Sequence, residues 1–165
     1  MSFIPTILLA YLVLAIQSGI APFIGVGGAT PNLLLPVVIF IALYASREPA
    51  LIGVYVIGLM QDMLSQDPLG VYPLVYAFLA IVARMTQPTI HRDHWLTHIL
   101  LGLAGGTLHG AILWLVSVRL GGQRYSLELI FNSAIYTAIT TPIILRVLVK
   151  SKRLFGFQPD RRALQ

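Results

Sequence analysis

The most constraining stretch of this chain is LTHILLGLAGGTLHGAILWLVSV, residues 96–118, which carries no Asp, Glu, Lys or Arg. An α-helix needs roughly 20 mostly apolar residues to cross the hydrocarbon layer of a bilayer. Because this stretch meets that length without a single charge, it predicts a membrane-spanning helix.

Five further segments come close to the same length and composition, which predicts an all-α, polytopic membrane protein. The six predicted spans are residues 3–21, 31–45, 49–64, 68–86, 96–118 and 127–149. The second and third are short, so we expect them to tilt, to extend into flanking loops or to thin the bilayer locally. On this interpretation residues 1–149 form a six-helix transmembrane bundle and residues 150–165 form a basic cytoplasmic tail.

The composition excludes several other classes of protein. Of the 165 residues, 57% are hydrophobic and 10% are charged, whereas a soluble domain carries about 25% charged residues. A soluble domain, a disordered chain and a nucleic-acid binder with a basic surface all need more charge than this. The chain has no cysteine, which also excludes disulfides, thiolate metal sites and cysteine-linked lipid anchors.

The basic residues predict the orientation of the bundle. Nine of the eleven fall on one predicted side, namely Arg47, Arg84, Arg92, Arg146, Lys150, Lys152, Arg153, Arg161 and Arg162. The positive-inside rule makes that side cytoplasmic, so we expect both termini in the cytoplasm. Lys150, Lys152 and Arg153 directly follow the last span, where they are candidates for binding anionic lipid or a cytoplasmic partner.

Helix starts are marked by their own chemistry. Pro31, Pro49 and Pro68 each lie where a predicted span begins, and proline is favoured at the first helical position because its missing N–H is not needed there. Ser126 precedes the last span, so its hydroxyl is expected to cap that helix.

Asp62 is the acidic residue that lies well inside the apolar segments, near the outer end of the third span. A carboxylate in a span can bind an ion, a proton or a partner helix. Alternatively, it can lie at the helix end and accept hydrogen bonds from the loop that follows. No basic residue lies nearby in sequence to pair with it, so we favour the second role, closure of the turn.

A row of small residues follows one face of the fifth span. Gly102, Gly106 and Gly110 are spaced four apart, which lets another helix approach closely. His98 and His109 fall on or beside that face, either as a proton-relay or metal pair or, as we favour, as imidazoles that hydrogen-bond across a packing surface. Ser133, Thr137 and Thr141 of the sixth span form a second row with the same spacing.

Nothing in the sequence assembles into a catalytic or metal centre. His91, His94 and His98 have a spacing that could place three imidazoles on one helical side, but no thiol or His-Glu-x-x-His pattern accompanies them. Nucleophile-elbow and Walker-loop patterns are also missing. We therefore expect a non-enzymatic protein with no metal and no cofactor.

The stretch from the second to the fourth span resembles a known family. The run Pro31-Asn32-Leu33-Leu34-Leu35, the run from Gly58 through Asp62 to Ser65, and Pro68-Leu69-Gly70 resemble the signature of the rod shape-determining protein MreD. The resemblance marks six residues as candidates for partner contact or packing: Asn32, Gly58, Asp62, Ser65, Pro68 and Gly70. One departure is visible, since the family often has Asp where this chain has Asn32.

The resemblance implies a multi-pass protein of the bacterial inner membrane that acts as a scaffold in cell elongation. It implies binding to a bitopic MreC-like protein and coupling of the actin-like MreB filament to peptidoglycan synthesis. A RodA-type glycosyltransferase and its class B penicillin-binding transpeptidase are further implied partners, besides membrane lipids, and nucleic acid is not among them. The implied fold is similar to the substrate-binding subunits of energy-coupling-factor transporters.

That fold similarity supplies an alternative function, a small-molecule-binding subunit of a vitamin-type transporter. Such a subunit needs a polar cavity open to the outer side of the membrane. Tyr55, Tyr72 and Tyr76 could line one, although tyrosines near span ends more often anchor a helix at the interface.

Overall fold

The structure is a computed structural model that describes residues 3–25, 28–65, 67, 69–85, 95–119 and 126–151. Within these residues it consists of six α-helices and contains no β-strand. The helices are α1 (Phe3–Ile24), α2 (Leu34–Tyr44), α3 (Arg47–Asp62), α4 (Val71–Met85), α5 (Trp95–Arg119) and α6 (Leu127–Lys150). The predicted all-α class is therefore confirmed, and each predicted span coincides with one helix.

The predicted proline starts are wrong in detail. α2 begins at Leu34, three residues after Pro31, and α3 begins at Arg47, so Pro49 is its third residue. Pro68 lies outside the described residues. The Ser126 cap is confirmed, since its hydroxyl accepts a hydrogen bond of 3.1 Å from the Leu129 amide. Side-chain hydrogen bonds from Gln17 and Asn32, described below, hold the start of α2 at Leu34.

Helix α2 is the centre of the bundle. It contacts each of the other five helices, and every residue from Leu34 to Leu43 is buried. Its sequence, LLPVVIFIALY, is apolar on all sides, as expected for a helix surrounded by protein. The largest interfaces elsewhere join α3 to α4 and α5 to α6, so two helical hairpins and α1 surround α2.

Two helices, α5 and α6, are both long and apolar enough to cross a membrane by length and composition. The apolar stretches Thr6–Gly19, Leu34–Tyr44 and Val71–Met85 are shorter. At 1.5 Å per residue the 11 residues of α2 extend about 17 Å, roughly half the thickness of the hydrocarbon layer. The described residues thus form six helices, two of which are long and apolar enough to be candidate membrane crossings.

The bundle has two chemically different ends. At the capped end, where α2, α4 and α6 begin, Asp62 and Asn32 hold the starts of α4 and α2. At the basic end, where the same helices finish, Arg84 and Lys150 lie in the last turns of α4 and α6. The Arg84 guanidinium donates to the carbonyls of Ala42 and Ala45, which satisfies groups that the end of α2 would otherwise leave unpaired.

Candidate functional site

Asp62 closes the turn between α3 and α4. Its carboxylate is buried and accepts hydrogen bonds from the backbone amides of Gly70, at 2.5 Å, and Tyr72, at 3.1 Å. These amides belong to the start of α4, where backbone N–H groups lack partners within the helix and negative charge is favoured. The predicted turn-closing role is confirmed.

Further hydrogen bonds fix the same turn. The Tyr72 hydroxyl donates to Asp67, and the Ser65 hydroxyl donates to the Asp62 carbonyl and accepts from the Asp67 amide. Gly70 has a φ of +94°, a left-handed conformation that glycine adopts without strain. The described polar residues of this run therefore hydrogen-bond to one another and to the start of α4.

Gly58 brings α3 and α4 together. A Cβ atom at this position would collide with the backbone of Pro73 and would lie 2.9 Å from the carbonyl carbon of Tyr72. Backbone that approaches this closely tolerates no side chain. Gly58, Asp62, Ser65 and Gly70 thus act together, as the determinants of one helical hairpin.

The glycine row of α5 packs on α6. Cβ atoms added at Gly102 and Gly106 would each lie 3.0 Å from an α6 backbone atom, the Cα of Ala138 and of Ala134 respectively. One at Gly110 would meet the side chain of Ile130. The row is a packing surface, as predicted, but its partner is a helix of the same chain. It is therefore not available to a partner protein.

The second small-residue row, on α6, also makes its contacts inside the helical bundle. Thr141 faces Gly102, and the Ser133 hydroxyl donates to the carbonyl of Thr30. The Thr137 hydroxyl accepts from the backbone N–H of Asn32. The row therefore contacts both α5 and the segment that leads into α2.

The start of α2 is held by two neutral amides. The Asn32 side-chain oxygen accepts from the amides of Leu34 and Leu35, both at 3.1 Å. The side-chain oxygen of Gln17, on α1, accepts from the amides of Leu33, at 2.8 Å, and Leu34, at 3.3 Å. Asn32 therefore caps a helix, a role that requires an acceptor oxygen and no negative charge.

Asn32 also joins this cap to two aromatic rings. Its side-chain nitrogen lies 3.3 Å from the Tyr76 hydroxyl and 3.4 Å from Nε2 of His109. Because the Asn32 oxygen already faces the α2 amides, this nitrogen is the donor, so Nε2 accepts and Nδ1 carries the His109 proton. His109 stacks on Tyr76 with ring centroids 5.6 Å apart, so it bonds the entrance to α2 rather than a group on α6.

A cavity of about 370 Å³ lies beside the start of α2. Its polar wall draws on α1, α3, α4, α5, α6 and the segment before α2, and includes Gln17, Asn32, Gln61, Tyr72, His109 and Ser133. Of the three tyrosines considered from the sequence, Tyr72 lines the cavity, Tyr76 is buried beside Asn32, and Tyr55 is half-exposed elsewhere.

Some predicted sites lie elsewhere or outside the described residues. His98 is buried on α5, eleven residues from His109, and the described residues contain no group of three His, Cys, Asp or Glu that could hold a metal. Pro68, His91, His94, Lys152 and Arg153 are outside the described part of the chain. Lys150 is the exposed last residue of α6.

Sequence reasoning missed Gln17, Gln61 and Arg84. Each is a polar residue within or at the end of an apolar helix, the feature that singled out Asp62. Applied to amides as well as charges, the same criterion would have selected Gln17 and Gln61. From the sequence, Arg84 was used only to predict the membrane topology. Its hydrogen bonds to the carbonyls of Ala42 and Ala45 join residues that are far apart in the chain, so they are visible only in the folded structure.

Comparison with known proteins identifies the family. Residues 1–150, which include all six helices, match the family described as rod shape-determining protein MreD. No curated protein and no solved structure matches the chain.

Proposed function

The chain belongs to the MreD family of rod shape-determining proteins, and from this membership we propose that it is a non-enzymatic membrane scaffold of the cell-elongation machinery. Family membership itself indicates a shape-determining membrane protein. The finer proposal is that the bundle binds a bitopic MreC-like protein. Through that partner it helps to couple the actin-like MreB filament to peptidoglycan synthesis.

The observation that carries the proposal is the extent of the family match. It covers residues 1–150, and therefore the helical bundle as a whole rather than one motif. The described polar residues of the family run support a structural role, because Asp62 and Ser65 hold the α3–α4 turn.

We propose six crossings with the basic end in the cytoplasm. Arg84, Arg146 and Lys150 belong to the basic end together with Glu48, while Asp62 and Glu128 belong to the capped end together with Arg119. The excess of basic residues at the basic end agrees with the positive-inside rule. Both termini are then cytoplasmic, and Lys150, Lys152 and Arg153 lie where they can bind anionic lipid. A fold like that of energy-coupling-factor substrate-binding subunits is part of the same proposal.

The partner's helix is proposed to contact the α3–α4 turn. Met63 and Leu69 are 82% and 83% exposed, and Leu64 is also exposed. The hydrogen bonds of Asp62 and Ser65 hold this turn in one conformation. Large apolar side chains next to this hydrogen-bonded backbone offer a partner contact area at a reduced cost in conformational entropy. A RodA-type glycosyltransferase and its class B transpeptidase would join the assembly through the MreC-like partner.

The test is co-purification combined with cell shape. Removing the gene should turn rod-shaped cells round, and the wild-type chain should restore the rods and retain the MreC-like protein on purification. Met63→Lys places a charge on the turn and is expected to lower recovery of that partner several-fold. Met85→Lys introduces the same residue at a 75% exposed position of the basic end, and it should leave recovery unchanged.

The proposal fails if the purified chain retains no MreC-like protein or if rods persist without the gene. If Met63→Lys and Met85→Lys behave alike, the scaffold function stands and the assignment of the partner surface to the turn is wrong.

A further inference from the structure

The outward side of α3 is a stripe one side chain wide. Between residues 49 and 62 the exposed residues are Ile52, Tyr55 and Leu59, and the others are buried or half-buried. Spacings of three and four residues place these side chains on one face of the helix. Because α3 contacts α1, α2 and α4, this face is the side of α3 that its own chain leaves uncovered.

The stripe continues into the α3–α4 turn. Met63 follows Leu59 by four residues and has helical backbone angles, with φ −63° and ψ −24°, so its side chain lies on the same face. Residues 52–63 therefore present four exposed side chains over about 17 Å of helix. The partner surface proposed at the turn is the end of this longer stripe.

Tyr55 is the polar member of the stripe, and it lies in the middle of α3. It follows Arg47 by eight residues and precedes Asp62 by seven, which places it about 12 Å and about 10 Å from the two ends of the helix. Tyrosines that anchor a helix lie instead at the membrane–water interfaces. Tyr55 is 46% exposed, and no hydrogen bond joins its hydroxyl to another described residue.

The position of this hydroxyl favours a polar neighbour. In the six-crossing arrangement proposed above, Tyr55 faces the hydrocarbon layer near its middle, where lipid chains offer no hydrogen bond. A hydroxyl in such surroundings is unfavourable unless it is hydrogen-bonded. Hydroxyl and amide side chains of a neighbouring transmembrane helix supply such bonds. A helix with a polar side chain at this level therefore fits the stripe better than lipid does.

We propose that the single transmembrane helix of the bitopic partner packs along residues 52–63 and hydrogen-bonds to the Tyr55 hydroxyl. That helix carries Ser, Thr, Asn or Gln near its own middle, opposite Tyr55, and apolar side chains opposite Leu59 and Met63. The inference rests on the proposed scaffold function, because it takes the same partner and extends the contact from the same turn.

Photo-crosslinking in cells tests where the partner helix lies. A photoreactive phenylalanine analogue replaces Tyr55 or, as the control, Tyr11, which is 65% exposed on α1. The described residues of α1 do not contact α4, so the exposed face of α1 is not part of the hairpin that forms the turn. We expect a crosslink to the MreC-like protein from position 55 and none from position 11.

Tyr55→Phe tests the hydrogen bond. The change removes one hydroxyl from an exposed position, so the unfolding temperature of the isolated chain should not change. Recovery of the MreC-like protein on co-purification should fall about three- to tenfold, because one interhelical hydrogen bond is lost. Tyr11→Phe makes the same change on α1 and should leave recovery at the wild-type level.

The stripe and the turn can fail separately. If the analogue crosslinks to the MreC-like protein from Leu69, in the turn, but not from position 55, the scaffold function stands and this inference is wrong. If neither position crosslinks, the partner surface at the turn fails as well. A crosslink from position 55 to a second copy of this chain, a partner crosslink from position 11 alone, or full recovery of the partner by Tyr55→Phe would also overturn the inference.

Discussion

Helices α4 and α2 both begin at the capped end of the bundle, but their first turns are held by different chemistry. At α4 the carboxylate of Asp62 accepts from Gly70 and Tyr72, residues that follow it closely along the chain. At α2 the neutral amides of Gln17 and Asn32 accept from Leu33, Leu34 and Leu35. One start is built by a local turn, and the other requires a side chain from α1.

The difference reflects where each start lies. The α4 start follows a turn whose side chains Met63 and Leu69 are exposed, whereas the capping carboxylate of Asp62 is itself buried against the backbone of α4. The α2 start lies beside the cavity, and the side-chain amide of Asn32 both accepts from backbone amides of α2 and donates toward Tyr76 and His109. The protein thus uses a buried carboxylate where α4 follows a local turn, and partly buried neutral amides where α2 begins beside the cavity.

The largest loss of stability is expected when the close packing of the α3–α4 hairpin, on which the start of α4 depends, is disrupted. Gly58→Ala forces a Cβ atom against the backbone of Pro73, so we expect a loss of about 3 kcal/mol or more in stability. Thermal unfolding in detergent measures it. Gly19→Ala, on α1, is the control, because an added Cβ there meets nothing within 4 Å. Equal unfolding temperatures for the two variants would contradict the close approach of α3 and α4.

The second-largest loss of stability is expected when the charged cap of α4 is removed. Asp62→Ala leaves the amides of Gly70 and Tyr72 without their acceptor, at a cost of about 2–3 kcal/mol. Asp62→Asn keeps one acceptor oxygen and should recover part of that loss. If Asp62→Asn were as unstable as Asp62→Ala, the charge itself rather than the hydrogen bonds would be the stabilising feature.

Removing one neutral cap is expected to cost less. Gln17→Met leaves the Leu33 amide without its acceptor, while Leu34 keeps its bond to Asn32. The expected loss is about 1–2 kcal/mol. Ala15→Met, at an exposed position on the same helix, is the matched control and should have little effect. A Gln17→Met variant as stable as this control would show that α1 does not hold the start of α2.

The smallest loss of stability is expected when the neutral cap at the start of α2 is replaced by a charged one. Asn32→Asp keeps an oxygen for the amides of Leu34 and Leu35 but loses the donor to Tyr76 and His109. Transfer of the His109 proton to Nε2 can supply a donor to the new carboxylate. The net loss should be below about 1 kcal/mol. A larger loss than that of Gln17→Met would mean that this interior does not accept charge.

The two starts also differ in how far the sequence could predict them. Asp62, Ser65 and Gly70 lie within one short run, so both the turn and the role of the carboxylate followed from local reasoning. The number of helices and their approximate ends followed from apolar length. These features depend on residues that are near one another in the chain.

The α2 start and the cavity depend on contacts between distant residues. Asn32 meets Tyr76, His109 and the Thr137 hydroxyl, and hydropathy says nothing about such pairs. The small-residue rows of α5 and α6 were recognised as packing surfaces, but spacing alone could not show that they pack on each other. The spacing of small residues identifies the packing face of a helix, but only the folded structure shows which helix packs on that face.

The most direct test of the central claim, a scaffold that binds its partner at the α3–α4 turn, is site-specific photo-crosslinking in cells. A photoreactive phenylalanine analogue replaces Leu69 in the turn or, as the control, Met85 at the basic end, both strongly exposed. We predict a crosslink to the MreC-like protein from position 69 and none from position 85. Crosslinks from position 85 alone, or from neither position, would contradict the account.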